Sequence, residues 1–186
     1  TENLLMAATA AEGETVIENA AREPEIMDLC AFLQGMGAEI EGAGTSTIRV
    51  AGGRPLHGVV HSVIADRVEA GTYLLMGAAT QGRVSTLGLD PVHLGLFLAK
   101  LRAMGVQVDE GHERITVSRD GPLFPVDIAT LPHPGFATDL QAQTMVLLTL
   151  AQGTSIVTEN VFENRFVVVD ELNRLGAGIE TTGHHA

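Results

Sequence analysis

Apolar and polar positions along the chain follow two periods, and the change from one to the other recurs. Apolar side chains at Ile26, Leu29, Cys30, Leu33 and Met36 have the three-and-four spacing of one helical face. The stripe returns at Leu94, Phe97, Leu98, Leu101 and Met104. It returns again, with one charged interruption, at Arg165, Val168, Val169, Leu172 and Leu175. Each stripe stops at a glycine, Gly37, Gly105 or Gly176, the residue best suited to the left-handed backbone at a helix end. An earlier helical stretch in each unit closes on a polar residue plus glycine: Glu12-Gly13, Gln81-Gly82 and Gln152-Gly153. These marks recur about every 70 residues. Short strands are predicted between the helices, at 15–17 and 155–157. Strand pairs follow the second helix, at 38–41 with 47–50 and at 106–108 with 114–117, and Gly42 and Gly44 sit in the first turn. Further strands are predicted between units at 59–63 and 126–129. A mixture of this kind is an α/β (α+β) fold. Its units are too long for a solenoid repeat of about 20–45 residues, so they read as packed modules of a globular protein.

Arg165 is the anomaly in this pattern. Its siblings at that slot are Ile26 and Leu94, and a charge in an apolar seam is costly unless it is paired or faces water or a cleft. Composition narrows the rest. The chain has 186 residues and is 45% hydrophobic, enough for a core and too much for a disordered chain. Its net charge is −12, which argues against nucleic acid as a partner but leaves room for a small phosphorylated ligand held by a few cations. One cysteine excludes a disulfide within the chain and makes a cytoplasmic setting the default. No apolar run approaches the roughly 20 residues of a membrane span. The chain opens on Thr1 and Glu2, with neither an initiator Met nor the basic opening of a secretory signal, and reads as a segment of a longer chain.

Familiar catalytic signatures are missing. There is no Walker loop and no G-x-G-x-x-G, and the histidines lack metal-ligand spacing. His184 and His185 read as terminal loop. Cys30 lies on an apolar stripe and reads as a buried, inert thiol. Three polar clusters remain, at 22–25, 132–139 and 162–166. Each is predicted at a helix N-terminus, where backbone N–H groups favour anions. Each also has a structural explanation. Pro24 suits a first helical turn, Thr138 or Asp139 suits an N-cap, and a rotated helix would let Arg165 reach water.

The runs ENAAREPEI (18–26), ADRVEAGTYL (65–74), PHPGFATDLQAQ (132–143) and FENRF (162–166) resemble the UDP-N-acetylglucosamine 1-carboxyvinyltransferase family, and the resemblance extends over essentially the whole chain. It implies inside-out α/β lobes of the enolpyruvyl transferase type, built from β-α-β-α-β-β units of which three of six are present. Residues 1–64 would be the last unit of one lobe and 65–186 two units of the other, with the hinge near Asp66-Arg67. The implied reaction moves enolpyruvyl from phosphoenolpyruvate to the 3-hydroxyl of UDP-N-acetylglucosamine, in cytoplasmic cell-wall precursor synthesis. It needs no cofactor, since no hydride moves and Arg or Lys can neutralise phosphate in place of a metal. By resemblance Asp139 is the base beside the sugar hydroxyl and Thr138 its neighbour. Val161 and Phe162 contact the UDP-sugar, Arg165 lines the same cleft, and Glu23 and Asp66 match charged cleft residues. Arg165 and Asp139 should then lie together.

Ala137 stands where the family has Pro. The family's loop acid (Cys or Asp), its Lys-Asn pair and its late arginines have no counterpart, and Cys30 is not that cysteine. The missing remainder of its own chain is therefore an expected partner, and the segment alone should be catalytically silent. A shikimate-pathway enolpyruvyl transferase and a non-catalytic repeat scaffold are the alternatives.

Overall fold

The computed structural model describes residues 1–186, which form two compact units, Thr1–Ile64 and Ala65–Ala186. The first contains α1 (Glu2–Ala10), β1 (Gly13–Glu18), α2 (Pro24–Gly35), β2 (Glu39–Glu41) and β3 (Thr47–Gly52). Its sheet has the order β1-β3-β2, antiparallel throughout. Thr15, Val50 and Ile40 form one row across it. Ile26, Cys30 and Leu33 of α2 are buried with Leu5, Ile40, Ile48 and Val50, and Leu29 and Met36 pack against that cluster. Burial pushes the Cys30 thiol above its ordinary pKa.

The second unit repeats the plan with α3 (Arg67–Ala79), β4 (Arg83–Leu87), α4 (Gly95–Ala103), β5 (Gln107–Gly111) and β6 (Arg114–Ser118). The sheet order is β4-β6-β5, and Val84, Val117 and Val108 occupy the row equivalent to Thr15, Val50 and Ile40. Leu94, Phe97, Leu98, Leu101 and Met104 are all buried. Buried Arg119 donates to the carbonyls of Ala78 (2.5 Å), Ala79 (3.2 Å) and Gly121 (2.7 Å). It thereby satisfies two of the carbonyls that the end of α3 leaves open. Then follow β7 (Ile128–Ala129), α5 (Gln141–Leu148), β8 (Val157–Thr158) and α6 (Val167–Arg174), with β7 and β8 parallel.

Glycine takes positive φ at Gly37 (101°), Gly105 (90°) and Gly176 (99°), as the helix ends require. Two expectations are corrected. Residues 59–63 form no strand; this coil runs back along α2, where His57 N–H donates to the Met36 carbonyl (2.9 Å) and His61 meets Asp28 (2.9 Å). Val60 and Val63 stay exposed, so β-propensity there has no apolar surface to reward it. His184 and His185 lie in the terminal loop as read, where the Glu159 N–H donates to the His184 carbonyl and His185 bridges to Thr158 beside β8. Arg165 lies outside the third stripe: α6 starts only at Val167, and Leu175 beyond its end is 86% exposed. Gln81 takes the left-handed turn after α3.

A Cβ on Gly52 would lie 2.1 Å from the Ala8 carbonyl oxygen and 2.2 Å from that of Ala11. Both are backbone atoms and cannot swing aside. Gly52→Ala should destabilise the first unit by about 1–3 kcal/mol, the usual scale of overpacking, and urea unfolding checks this.

Candidate active site

The site grows from the C-terminal ends of β7 and β8. Thr130 continues the parallel ladder by donating its N–H to the Thr158 carbonyl (2.9 Å). The chain then doubles back, with Leu131 N–H to the Phe136 carbonyl (3.1 Å) and Gly135 N–H to the Pro132 carbonyl (2.8 Å). Only glycine fits at 135, where a Cβ would sit 2.4 Å from that of Leu131. Phe136 is 1% exposed and its ring lies 6.0 Å from that of Phe97 on α4. This anchored loop delivers Thr138 and Asp139 into a single 3-10 turn, 138–140, ahead of α5. The turn packs closely on α3 because residue 71 is glycine: a Cβ there would be 2.7 Å from the Leu140 side chain. Gln143 of α5 also donates to the Thr72 hydroxyl (3.2 Å).

Neither Thr138 nor Asp139 caps α5, which has no side-chain cap; this corrects the N-cap reading. The Thr138 hydroxyl instead donates to Glu159 Oε2 (2.8 Å). Glu159 Oε1 accepts the Thr130 hydroxyl (2.8 Å) and the N–H groups of Val161 (2.8 Å) and Phe162 (3.0 Å). Thr130 in turn accepts the Asn160 N–H at its hydroxyl (3.0 Å) and the Asn160 side-chain amide at its carbonyl (3.2 Å). Glu159 is 1% exposed and is the one buried carboxylate of the chain. Burial alone would raise its pKa, but the bonds from Thr138, Val161, Phe162 and Thr130 outweigh burial and hold it below the ordinary glutamate value.

In front of this knot, Arg165 Nη2 donates to Asp139 Oδ1 at 2.6 Å, and the guanidinium sits 5.0 Å from the centroid of the Phe162 ring. Five expected residues, Thr138, Asp139, Val161, Phe162 and Arg165, are thus brought together. The ion pair is open to water, with the Arg165 and Asp139 side chains 33% and 53% exposed. Such pairs contribute only about 0–1 kcal/mol, so Arg165 and Asp139 remain available to a charged or hydroxyl-bearing ligand. Asp66 is used differently: its Oδ1 caps α3, accepting the Val68 (2.7 Å) and Glu69 (3.1 Å) N–H groups. Glu23 stands at the N-cap position of α2 in the other unit, and its Oε2 is buried without a hydrogen-bond partner. No cluster of three or more His, Cys, Asp or Glu side chains is disposed to hold a metal ion.

Sequence reasoning missed Glu159. Its one signal was an acid directly after an apolar strand and beside the FENRF run, and carboxylates are so seldom buried that such a position reads as surface.

A sequence profile of the EPSP synthase (3-phosphoshikimate 1-carboxyvinyltransferase) family matches residues 1–186. The chain belongs to this family. Among curated relatives of this EPSP synthase-family chain, it is 54% identical to a UDP-N-acetylglucosamine 1-carboxyvinyltransferase of Acidobacterium capsulatum, over 100% of this chain and 43% of that protein. It is 52% identical to one of Clostridium tetani (100% and 45%) and 50% identical to one of Staphylococcus aureus (100% and 44%). The chain therefore spans under half the length of the curated relatives it matches. Among solved structures, the enolpyruvyl transferase NikO of Streptomyces tendae superimposes with a TM-score of 0.86 at 28% identity, over 97% of this chain and 43% of that one. EPSP synthase of Acinetobacter baumannii matches in fold alone, with a TM-score of 0.50 at 17% identity. The fold is that of the enolpyruvyl transferases.

Because the folded Glu159 carboxyl titrates below the unfolded value of about 4.3, it stabilises the fold above that pH. The contribution disappears as pH falls through the folded value. Urea unfolding at decreasing pH should show a loss of stability in the wild type below about pH 5 that is smaller in Glu159→Gln.

Proposed function

We propose that this chain carries part of an enolpyruvyl transferase active site whose acceptor is UDP-N-acetylglucosamine and whose donor is phosphoenolpyruvate. The observation that carries the reading is the Asp139–Arg165 contact beside Phe162, in a chain whose 50–54% identical relatives bear that enzyme's name. The Asp139 carboxylate takes the proton from the sugar 3-hydroxyl as that oxygen bonds to the central carbon of phosphoenolpyruvate. The methylene carbon of the donor gains a proton at the same stage. Loss of that proton and of phosphate then leaves the enol ether, so atoms and charge balance.

Arg165 pairs with Asp139 and offers positive charge to the bound anions. Val161 and Phe162 present backbone and ring to the nucleotide-sugar, and Thr138 fixes the turn that carries the base. Asp66 is assigned to the charged border of that cleft, and Glu23 keeps only what the resemblance gives it, a match to a charged residue of the family. In this reading residues 1–64 close one lobe and 65–186 begin the other, as three of six repeat units. The acid that protonates the methylene carbon and the remaining phosphate-binding cations belong to sequence outside this chain. The setting is cytoplasmic synthesis of peptidoglycan precursors. No helix of the chain is long and apolar enough to cross a membrane.

UDP-N-acetylglucosamine should raise the melting temperature of the chain, since a ligand that binds only the folded state stabilises it; shikimate 3-phosphate should not. The reverse pattern would assign the chain to the shikimate-type branch. The 186-residue chain should release no phosphate from the two substrates. In a full-length enzyme carrying this segment, Asp139→Asn should lower kcat by about 10²–10⁴, the usual worth of a positioned base, as phosphate release would show.

A further inference from the structure

An open ion pair worth about 0–1 kcal/mol cannot hold its own geometry. Asp139 and Arg165 come from segments separated by 26 positions in sequence, so their alignment must be imposed from behind. The residue directly behind both segments is Glu159. One carboxylate oxygen reaches the Asp139 turn through the Thr138 hydroxyl. The other holds the N–H groups of Val161 and Phe162, at the start of the turn that ends in Arg165. Thr130, fully buried, ties the same oxygen to the end of β7.

We infer that Glu159 is a positioning residue: it touches no substrate, and it fastens the Asp139 turn to the Phe162–Arg165 turn so that the two exposed groups meet in one orientation. The inference rests on the proposed roles of Asp139 and Arg165. A carboxylate accepts on both oxygens, and every donor here aims at one or the other. In Glu159→Gln the amide oxygen can keep the two N–H groups while the NH₂ group donates to the Thr138 hydroxyl, so both arms can survive; Glu159→Ala removes both. In Thr138→Val only the arm to the Asp139 turn is lost.

The test reads Arg165 itself. In the wild type, NMR of the Arg165 guanidinium should show restricted rotation, with separately resolved Nη signals. In folded Glu159→Ala, and in Thr138→Val should the first variant fail to fold, that restriction should be lost. Thr138→Ser should restore it. In parallel, affinity for UDP-N-acetylglucosamine should fall by about tenfold or more, on the scale of a small misplacement at a binding site. A folded variant that loses stability but keeps the wild-type Arg165 signals would overturn the inference. A wild type that shows the ordered guanidinium yet binds no UDP-N-acetylglucosamine would sink the substrate assignment while leaving the positioning role standing.

Discussion

The structure around the candidate site depends on the burial of one charge. An ionised carboxylate removed from water costs several kcal/mol unless donors replace its hydration. Glu159 is buried, and four donors converge on it: two hydroxyls and two backbone N–H groups. This condition dictates local structure far more tightly than secondary-structure propensity does. It draws Thr130 at the end of β7, Thr138 ahead of α5 and the chain leaving β8 to within hydrogen-bond reach of a single side chain. Residues that face solvent, and so cannot fix one another, inherit their placement from it.

The repeated module supplies the rigid frame. Twice the chain folds two helices onto a three-stranded antiparallel sheet of the same order, with the same row of residues crossing its middle. The third copy departs from the pattern between β8 and α6. Where Ile26 enters its helix and buries, the third copy runs through an open turn, and Arg165 occupies that turn. The helix is shortened, and the chain released from it carries Val161, Phe162 and Arg165 to the surface. In the third copy, part of one helix thus gives way to the turn that carries these residues. Gly71 and Phe136 keep the neighbouring turn close to α3 and α4, so the freed segment faces a fixed wall.

Much of this was legible in the sequence, for identifiable reasons. The apolar stripes and their terminal glycines encode helix faces and left-handed ends, and both are local properties. The hairpins at 38–50 and 106–117 are equally local, since alternation and turn residues suffice to mark them. Asp139 and Arg165 stood out by their motifs, and the structure pairs them. Properties that depend on distant partners were hidden. The donors of Glu159 include Thr130, 29 positions away, and no local pattern announces that a hydroxyl will meet that carboxylate. Thr138 read as a cap because threonine before a helix so often is one, yet its hydroxyl has a better partner across the fold. The coil at 59–63 read as strand from its valines, while its real constraint is the contact of His57 and His61 with α2.

The claim that hydrogen bonds outweigh burial at Glu159 can be measured without any ligand. The side-chain carboxyl carbon of Glu159 is followed by NMR as the folded protein is acidified. The account predicts a titration midpoint below that of an ordinary glutamate, about 4.3, with the Val161 and Phe162 amide signals shifting in step. A midpoint above that value would mean that desolvation dominates and that the four donors do not hold the charge. The buried carboxylate would then not be what joins the two turns.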